Sequence, residues 1–382
     1  MKLMVSAGGT GGHVYPALAV VKALPGRGDA NTVDAVDLLW VGSKGGIEED
    51  LIAQAGLPFV GLAAGGLRGM GPLVKIRNAF RLAGGFWQAR GVLARFRPDV
   101  VLSTGGYVSA AVTLAAWLKR IPVLIYLPDI VPGQAIQTLS RFAARIAVTS
   151  EESRRYFGQR KAVVTGYPVR SEILTLSRAE ARQALGLDPQ TKVLLVFGGS
   201  QGARSINQAL MAGLPSLLTI CQVVHVSGRL DAEWVTGAAR TLPEAMQARY
   251  HHYDYLHDMP LALVAADLAV ARAGAATLGE FPAAGLPAVL VPYPYSGQHQ
   301  SPNADYMARN GAARVLPDAE LGEKLVPTLL ELLDDAPSWQ ALTAMRASAR
   351  ALARPDAAKA IAAQLHALAG HAQGRAGMEV EP

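Results

Sequence analysis

The chain has 382 residues, of which 51% are hydrophobic and 17% are charged. This length and composition exclude a small disulfide-stabilised scaffold and a mainly disordered chain, and they predict two domains of about 100–200 residues. The net charge of +6 is local, because residues 51–98 contain seven basic residues and no acidic one, against 29 basic and 30 acidic residues elsewhere. An anionic partner is therefore expected at one segment of the surface.

Short apolar runs alternate with longer helical patterns, which is typical of βαβ units in parallel sheets. In the first half, strands are predicted at residues 2–7, 38–42, 59–62, 100–104, 122–126, 145–149 and 162–166. In the second half, they are predicted at residues 192–198, 222–228, 250–255, 267–272, 287–293 and 312–316. Each set predicts one doubly wound α/β domain.

The sequence TGYPVR at residues 165–170 separates the two sets with Gly and Pro and predicts a domain boundary. We expect an N-terminal domain over residues 1–166 and a C-terminal domain over residues 167–354. An Ala-rich helix is predicted over residues 355–368, packing back on the N-terminal domain, and a frayed tail over residues 369–382.

Glycine-rich turns follow three of the predicted strands, within residues 6–20, 103–116 and 197–210. Exposed backbone N–H groups and a following helix N-terminus can bind an anion at such turns, although glycines also serve tight turns that bind nothing. Neither G-x-G-x-x-G nor G-x-x-x-x-G-K-[ST] occurs, which disfavours a dehydrogenase and a P-loop enzyme. Because similar turns open both halves, anion binding is favoured.

His13 directly follows the first glycines and precedes a predicted helix. The positive end of a helix dipole favours a neutral imidazole, which can accept a proton. His13 is therefore the candidate catalytic base, with a purely structural histidine as the alternative.

The segment ARAGAATLGEF, residues 271–281, places Arg272 at a strand end and Glu280 near a helix start. Thr277 and Glu280 match a T-x-x-E capping box, whereas a carboxylate at this position could instead accept both hydroxyls of a ribose. The following loop, residues 292–304, is polar enough to bind the hydroxyls of a sugar or simply to face solvent.

Residues 71–90 predict an amphipathic helix that carries part of the basic segment. Its apolar residues at helical spacing are Leu73, Ile76, Phe80, Ala83 and Trp87, with Phe86 adjacent. Such a helix ordinarily packs on a core, but aromatic side chains beside basic ones without any acidic residue favour an anionic membrane surface.

The N-terminus does not resemble a secretory signal peptide, and no run approaches the ~18 apolar residues of a membrane span. Cys221 is the one cysteine and lies in an apolar run, which predicts a buried thiol and fits a reducing compartment. We therefore expect a peripheral protein at the cytoplasmic face of the cell membrane. No motif supports a nucleic-acid partner.

Six ordered motifs resemble those of the MurG family of glycosyltransferases. They are GGTGGHVYPALAV, STGGYVS, TGYPVR, GGSQGAR, AGAATLGE and HQxxNA, and they span residues 8–304. The resemblance implies a GT-B fold of two Rossmann-like domains, with UDP-N-acetylglucosamine bound mainly by the C-terminal one. It also implies transfer of the sugar to undecaprenyl-linked muramyl-pentapeptide.

The resemblance assigns site residues by matching motif. It implies donor contacts from Arg170, Ser200, Tyr255, Leu256, Ala275, Ala276, Thr277, Glu280, His299 and Gln300. It places Thr10, Gly11, Gly12 and His13 at the reaction centre. The chain has no D-x-D triplet to hold a divalent metal, so we expect no metal and no cofactor.

One segment departs from the family pattern. Where the family usually has His-Glu-Gln-Asn, this chain has Tyr126, Leu127, Pro128 and Asp129. Asp129 takes the position of the asparagine that approaches the sugars, but it carries a negative charge. The acceptor side is therefore less well defined than the donor side.

Three other functions remain open at this stage. A UDP-N-acetylglucosamine 2-epimerase would have the same fold, and another UDP-sugar transferase would differ in its acceptor. A non-catalytic protein that binds a nucleotide sugar or a membrane would also explain the glycine-rich turns and the basic segment.

Overall fold

The computed structural model describes residues 1–9, 11–24, 36–63, 72–199, 202–295, 300–334 and 337–378. For residues 47, 72–83, 107, 337–339 and 371–378 it describes the backbone and not the side chain. The chain forms two compact units: unit 1 is residues 1–168 with 356–382, and unit 2 is residues 169–355.

Unit 1 is built on a parallel sheet that has seven strands within the described residues. They are β1 (Lys2–Ala7), β2 (Asp37–Ser43), β3 (Phe59–Leu62), β4 (Val100–Gly105), β5 (Val123–Leu127), β6 (Arg145–Val148) and β7 (Ala162–Val164). Their spatial order is β3-β2-β1-β4-β5-β6-β7. The central strands are buried along nearly their whole length because helices cover both faces of a parallel sheet.

Helices cover this sheet. They are α1 (Gly11–Lys22), α2 (Ile47–Gln54), α3 (Pro72–Phe96), α4 (Tyr107–Leu118), α5 (Gln134–Leu139) and α6 (Glu151–Arg154), with a 3₁₀ helix at Ser140–Phe142. Buried aliphatic side chains such as Met4, Val101 and Val112 form the core between α3, α4 and the sheet.

Unit 2 is built on a second parallel sheet, with six strands among the described residues. They are β8 (Lys192–Phe197), β9 (Cys221–Val226), β10 (Tyr250–Tyr253), β11 (Leu268–Ala271), β12 (Ala288–Leu290) and β13 (Ala313–Val315), in the order β10-β9-β8-β11-β12-β13. Each predicted strand is present, with ends that differ by at most three residues. Cys221 is buried as predicted, and burial raises the pKa of its thiol to about 12.

The helices of unit 2 follow in chain order. They are α7 (Ser171–Thr175), α8 (Arg178–Ala184), α9 (Arg204–Leu218), α10 (Ala232–Ala239), α11 (Glu244–Gln247), α12 (Met259–Ala265), α13 (Glu280–Ala284), α14 (Gln300–Arg309), α15 (Leu321–Leu333) and α16 (Pro337–Leu352). Two 3₁₀ helices lie at Ala275–Leu278 and Asp318–Glu320.

A buried ionic cluster holds several of these elements at the amino ends of the strands. The carboxylate of Asp267 accepts hydrogen bonds from Arg178, from Arg182 (2.6 Å) and from Arg346 (3.0 Å). It also accepts the backbone N–H of Val193 at 2.9 Å. Asp267 thereby joins α8, α16, β8 and β11, and its burial is compensated by these charged donors.

The last helix, α17 (Ala357–Met378), packs against α1 and β4 within unit 1. It continues about ten residues beyond the predicted end at residue 368, into the segment expected to fray. The helix continues because residues 369–378 contain no proline and their three glycines are separated by better helix formers. None of the described helices combines the length and apolar character needed to cross a bilayer.

The strand order reverses direction at one place in each sheet. In unit 1 the reversal lies between β1 and β4, and in unit 2 it lies between β8 and β11. Loops that leave neighbouring strands at such a switch point diverge and open a crevice at the carboxyl edge of the sheet. All three glycine-rich turns of the sequence lie at these two places.

Candidate active site

The first glycine-rich turn connects β1 to α1 and places His13 in the first turn of that helix. Gly9 adopts a positive φ of 91°, which a side chain would disfavour. The hydroxyl of Thr104 donates to the backbone carbonyl of His13 at 2.8 Å. Gly11 and Gly12 open the helix, and Thr10 lies outside the described residues.

The turn after β4 packs directly on this first turn. A Cβ at Gly105 would lie 2.9 Å from Cε1 of His13, and one at Gly106 would lie 2.7 Å from the carbonyl oxygen of Gly8. Ser109 donates to the carbonyl of Gly105 at 2.6 Å. The two turns therefore form one platform, in which Gly105 leaves room for the His13 ring.

The third glycine-rich turn connects β8 to α9 in unit 2. Gly199 and Gly202 adopt positive φ values of 91° and 78°. A Cβ at Gly202 would lie 2.3 Å from the carbonyl oxygen of Ser227, so the loop approaches the turn after β9 too closely for any side chain. Ser200 lies outside the described residues.

A buried polar cluster anchors the start of α9 beneath this loop. The amide Nδ2 of Asn207 donates to the Asp231 carboxylate at 2.8 Å and to the carbonyl of Ser227 at 2.9 Å. Nε of Arg204 donates to Asp231 at 2.8 Å. Burial alone would raise the pKa of Asp231, but the hydrogen bonds from Arg204, Trp234 and Asn207 outweigh it and hold that pKa below its ordinary value.

His225 completes this cluster in one neutral tautomer. Its Nε2 lies 2.9 Å from Oδ1 of Asn207, and its Nδ1 lies 2.6 Å from the hydroxyl of Tyr250. Because Nδ2 of Asn207 is the donor, Oδ1 accepts; Nε2 of His225 therefore carries the proton and Nδ1 accepts from Tyr250. Burial lowers the pKa of His225 to about 3, which keeps the ring neutral.

Arg272, which follows β11, contacts the start of α9, which follows β8, at the switch point of unit 2. Its guanidinium donates to the hydroxyl of Ser205 on α9 at 2.8 Å and pairs with Asp318. It also lies over the ring of Tyr293, 5.3 Å from the ring centroid. The sequence placed Arg272 at a strand end, and the structure adds these partners.

Glu280 and Arg170 form an ion pair in unit 2. Nε of Arg170 donates to Oε1 of Glu280 at 2.8 Å, and both side chains are largely buried. The capping box considered from the sequence is absent, because Glu280 is itself the first residue of α13 and Thr277 donates to the carbonyl of Gly274. The two predicted donor-binding residues therefore contact each other.

The other predicted donor residues lie at the carboxyl edge of the same sheet. Tyr255 and Leu256 lie two and three residues after the end of β10 and are half-buried, with the guanidinium of Arg229 over the Tyr255 ring. Ala275, Ala276 and Thr277 lie in the 3₁₀ helix after β11. Within the described ranges, no three acidic, His or Cys side chains come together in a way that could hold a metal ion.

Comparisons with known proteins agree with this architecture. Residues 3–148 match the glycosyltransferase family 28 N-terminal domain, and residues 193–361 match the family 28 C-terminal domain. A Roseiflexus sp. protein named UDP-N-acetylglucosamine–N-acetylmuramyl-(pentapeptide) pyrophosphoryl-undecaprenol N-acetylglucosamine transferase is 43% identical over 96% of this chain and 95% of its own. The chain belongs to the MurG family.

Solved structures show the same relationship. The crystal structure of Acinetobacter baumannii MurG matches with a TM-score of 0.73 and 29% identity over 96% of this chain and 99% of that one. A UDP-GlcNAc 2-epimerase from Neisseria meningitidis matches with a TM-score of 0.65 and 15% identity, covering 96% and 99% of the two chains, so it shares the fold alone. The predicted MurG family, fold class and glycosyltransferase activity in peptidoglycan synthesis are thereby confirmed.

Most of the segment that departs from the MurG pattern, residues 126–129, is buried in the core of unit 1. Tyr126 is buried, its hydroxyl lies 3.1 Å from Oγ1 of Thr149, and burial raises the pKa of its phenol. Leu127 and Pro128 are also buried. Of the four residues, only Asp129 is partly exposed, in the turn after β5. Asp129 is therefore the one residue of this segment whose difference from the family pattern reaches the surface at the carboxyl edge of the sheet.

Two residues of the last MurG motif, HQxxNA at residues 299–304, form hydrogen bonds within the protein. Oε1 of Gln300 accepts the backbone N–H of Tyr293 at 2.9 Å, and Nδ2 of the buried Asn303 donates to the carbonyl of Ala273 at 3.1 Å. Asn303 therefore fixes α14 to the end of β11. His299 lies outside the described residues.

Proposed function

We propose that this chain transfers N-acetylglucosamine from UDP-N-acetylglucosamine to the 4-hydroxyl of undecaprenyl-linked N-acetylmuramyl-pentapeptide, with inversion at the anomeric carbon. The observation that carries the proposal is His13, whose ring lies against Gly105 at the switch point of unit 1. The donor and the acceptor are those named for the relatives.

His13 is the proposed base. In this role the imidazole accepts the proton of the acceptor hydroxyl as that oxygen attacks the anomeric carbon, a contribution worth about 10²–10⁴-fold in rate. The position supports the role, because Thr104 and Gly105 hold the backbone and the ring of His13 at the carboxyl edge of the sheet.

The leaving diphosphate is the second part of the proposal. Ser200, Arg170 and the N–H groups at the start of α9 stabilise the negative charge that develops there. The role of Ser200 depends on the motif, while the rigid anchoring of α9 through Arg204, Asn207 and Asp231 supports a fixed anion site. We propose that no metal and no cofactor take part.

The nucleoside is the third part. Glu280 accepts hydrogen bonds from the ribose hydroxyls, and the bond from Arg170 to Oε1 orients the carboxylate for that task. Tyr255 and Leu256 face the uracil, and residues 275–277 line the nucleotide. Gln300 and His299 contact the donor sugar.

Peripheral binding to the cytoplasmic face of the cell membrane, through residues 71–90, completes the proposal. The predicted helix is present as part of α3, although the side chains of residues 72–83 lie outside the described set. Trp87 is 66% exposed, with the guanidinium of Arg90 over its ring, whereas Phe86 packs on the core. An exposed tryptophan beside a basic group is typical of a membrane-interface contact.

The decisive experiment measures UDP release from UDP-N-acetylglucosamine with and without the lipid-linked muramyl-pentapeptide, in the presence of EDTA. We expect release that depends on the acceptor and persists with EDTA. Equal release without acceptor would contradict the proposed acceptor, and loss of activity with EDTA would contradict the metal-free reaction.

A parallel incubation with donor alone tests the epimerase. Only the shared fold supports that function, so we expect no manno-epimer. Binding of UDP-N-acetylglucosamine without any UDP release, under all conditions, would instead indicate a binding protein.

A further inference from the structure

Glu48 is a fully buried acid that the mechanism above does not use. It is the second residue of α2, and its side chain is 0% exposed. Oε1 accepts the backbone N–H of Ser43 at 2.8 Å, and Oε2 accepts the backbone N–H of Gly9 at 3.2 Å. One carboxylate therefore joins the turn after β1 to the turn after β2.

Three glycines enclose this carboxylate. A Cβ at Gly8 would lie 2.3 Å from Oε1, one at Gly46 would lie 2.5 Å from Oε2, and one at Gly42 would lie 2.8 Å from Cγ of Glu48. None of the three has a positive φ, so each could adopt its backbone conformation as alanine. Glu48 occupies the space that a side chain at Gly8 or Gly46 would need, and Glu48 and Phe59 together occupy it at Gly42.

The neighbouring acid has a different environment. Glu49 accepts the N–H of Gly45 at 2.7 Å, on the exposed surface at the start of the same helix. That contact is an ordinary stabilisation of a helix N-terminus by a carboxylate. Glu48 instead points away from its own helix and toward the turn that carries His13, where burying a carboxylate requires strong donors.

We propose that Glu48 is a positioning residue for the transfer reaction. By holding the N–H of Gly9, it fixes the turn from one side, while Gly105 and Gly106 pack on the other. The start of α1, and with it the ring of His13, is thereby set. This inference depends on the proposed role of His13. It also implies that the N–H of Gly9 is occupied by the protein and does not bind a substrate phosphate.

The test compares Glu48→Gln with the matched control Glu49→Gln in the full-length protein. A glutamine has one acceptor oxygen, so its NH₂ group must face the N–H of either Gly9 or Ser43. We expect kcat to fall about 10- to 100-fold, because small misplacements of a reacting group have effects of this size. KM for UDP-N-acetylglucosamine should change less than about twofold for both variants.

A second pair of variants tests the enclosure. Gly46→Ala should reproduce the loss in kcat, because its Cβ displaces the carboxylate. In a Glu48→Ala background the same substitution should have no further effect, since the clash has been removed. Independent, multiplicative losses would overturn the proposed enclosure.

A spectroscopic measurement separates this inference from the proposed function. In protein labelled at histidine nitrogen, the His13 ring signals are identified by their loss in His13→Gln. Glu48→Gln should shift them and Glu49→Gln should not, whether or not the wild type transfers sugar. Unshifted signals with unchanged kcat would exclude the positioning role, whereas an inactive wild type with shifted signals would contradict only the proposed function.

Discussion

The first and third glycine-rich turns have nearly the same sequence pattern, GGTGG and GGSQG, yet different parts of the protein hold them. In unit 1 a buried carboxylate, Glu48, holds the N–H of Gly9. In unit 2 the carbonyl of Ser227 packs against Gly202, and Asp231 is compensated by Arg204 and Asn207. A shared loop pattern therefore does not determine which groups of the loop remain available to a substrate.

The largest expected effect comes from removing the imidazole of His13, which follows the glycine-rich turn of unit 1. His13→Ala should lower kcat by about 10²–10⁴-fold, because the proposed base is lost. The Kd for UDP should stay unchanged, since the proposed donor contacts lie in unit 2. Steady-state kinetics and calorimetric titration with UDP measure the two quantities; an unchanged kcat would remove His13 from the mechanism.

The next largest effect concerns the membrane contact assigned to unit 1. Replacing Lys75, Arg77 and Arg81 by Glu should weaken binding to anionic vesicles by about 3 kcal/mol or more, at about 1 kcal/mol per basic side chain. UDP binding should not change. The control reverses Lys324 and Lys359, which are exposed elsewhere. Equal losses in vesicle cosedimentation for both variants would indicate a general charge effect without a local surface.

A smaller effect concerns the anchor of the unit 2 loop. The pKa of His225 is about 3 in the folded protein and about 6.5 when unfolded, so the unfolded state binds more protons between these values. Stability is therefore lost as the pH falls below about 6.5, by about 2 kcal/mol between pH 7 and pH 5.

Urea unfolding of wild type and His225→Gln at pH 7, 6 and 5 checks this expectation. The variant should lose less stability over that range, because the buried imidazole is absent. Burial also lowers the pKa values of His251 and His252, so both proteins keep some pH dependence. His252 interacts electrostatically with His225, so the difference between the two proteins reports the loss of His225 together with its effect on His252. Identical pH dependence would contradict a neutral, buried His225.

The smallest expected effect tests the close approach in unit 2. Gly202→Ala should raise the Kd for UDP about tenfold, or about 1.4 kcal/mol, because the methyl group meets the carbonyl of Ser227 at a positive φ. Gly237→Ala is the control, since nothing lies within 4 Å of its Cβ position. An unchanged Kd in folded Gly202→Ala would show that the loop does not need this contact to bind the donor.

Local pattern predicted the strands and the location of the loops well. Runs such as residues 193–197 are apolar throughout because both faces of a parallel sheet are covered, and the glycines that follow need positive φ values or close approach. His13 could be found because it adjoins such a turn. The helix over residues 71–90 was also identifiable from its period.

Glu48 and the cluster around His225 could not be identified in the same way. The sequence GGIEED has the acids of an ordinary helix N-terminus, and nothing in it distinguishes Glu48 from Glu49. The histidine within QVVHV gave a signal, a polar residue in an apolar run, but not the identity of its partners Asn207 and Tyr250. The capping box at Thr277 and Glu280 matched its pattern and yet did not form, because α13 begins at Glu280 itself and Thr277 donates to the carbonyl of Gly274.

The sequence by itself determined the two α/β units, the MurG family and the positions of the glycine-rich turns. These depend on short-range periodicity and on glycines whose conformations are local. Only the tertiary structure decided that Arg170 pairs with Glu280 and that Glu48 holds the turn of His13. Those contacts join residues 110 and 39 positions apart, and a hydrogen bond over such a separation is set by how strands and helices pack.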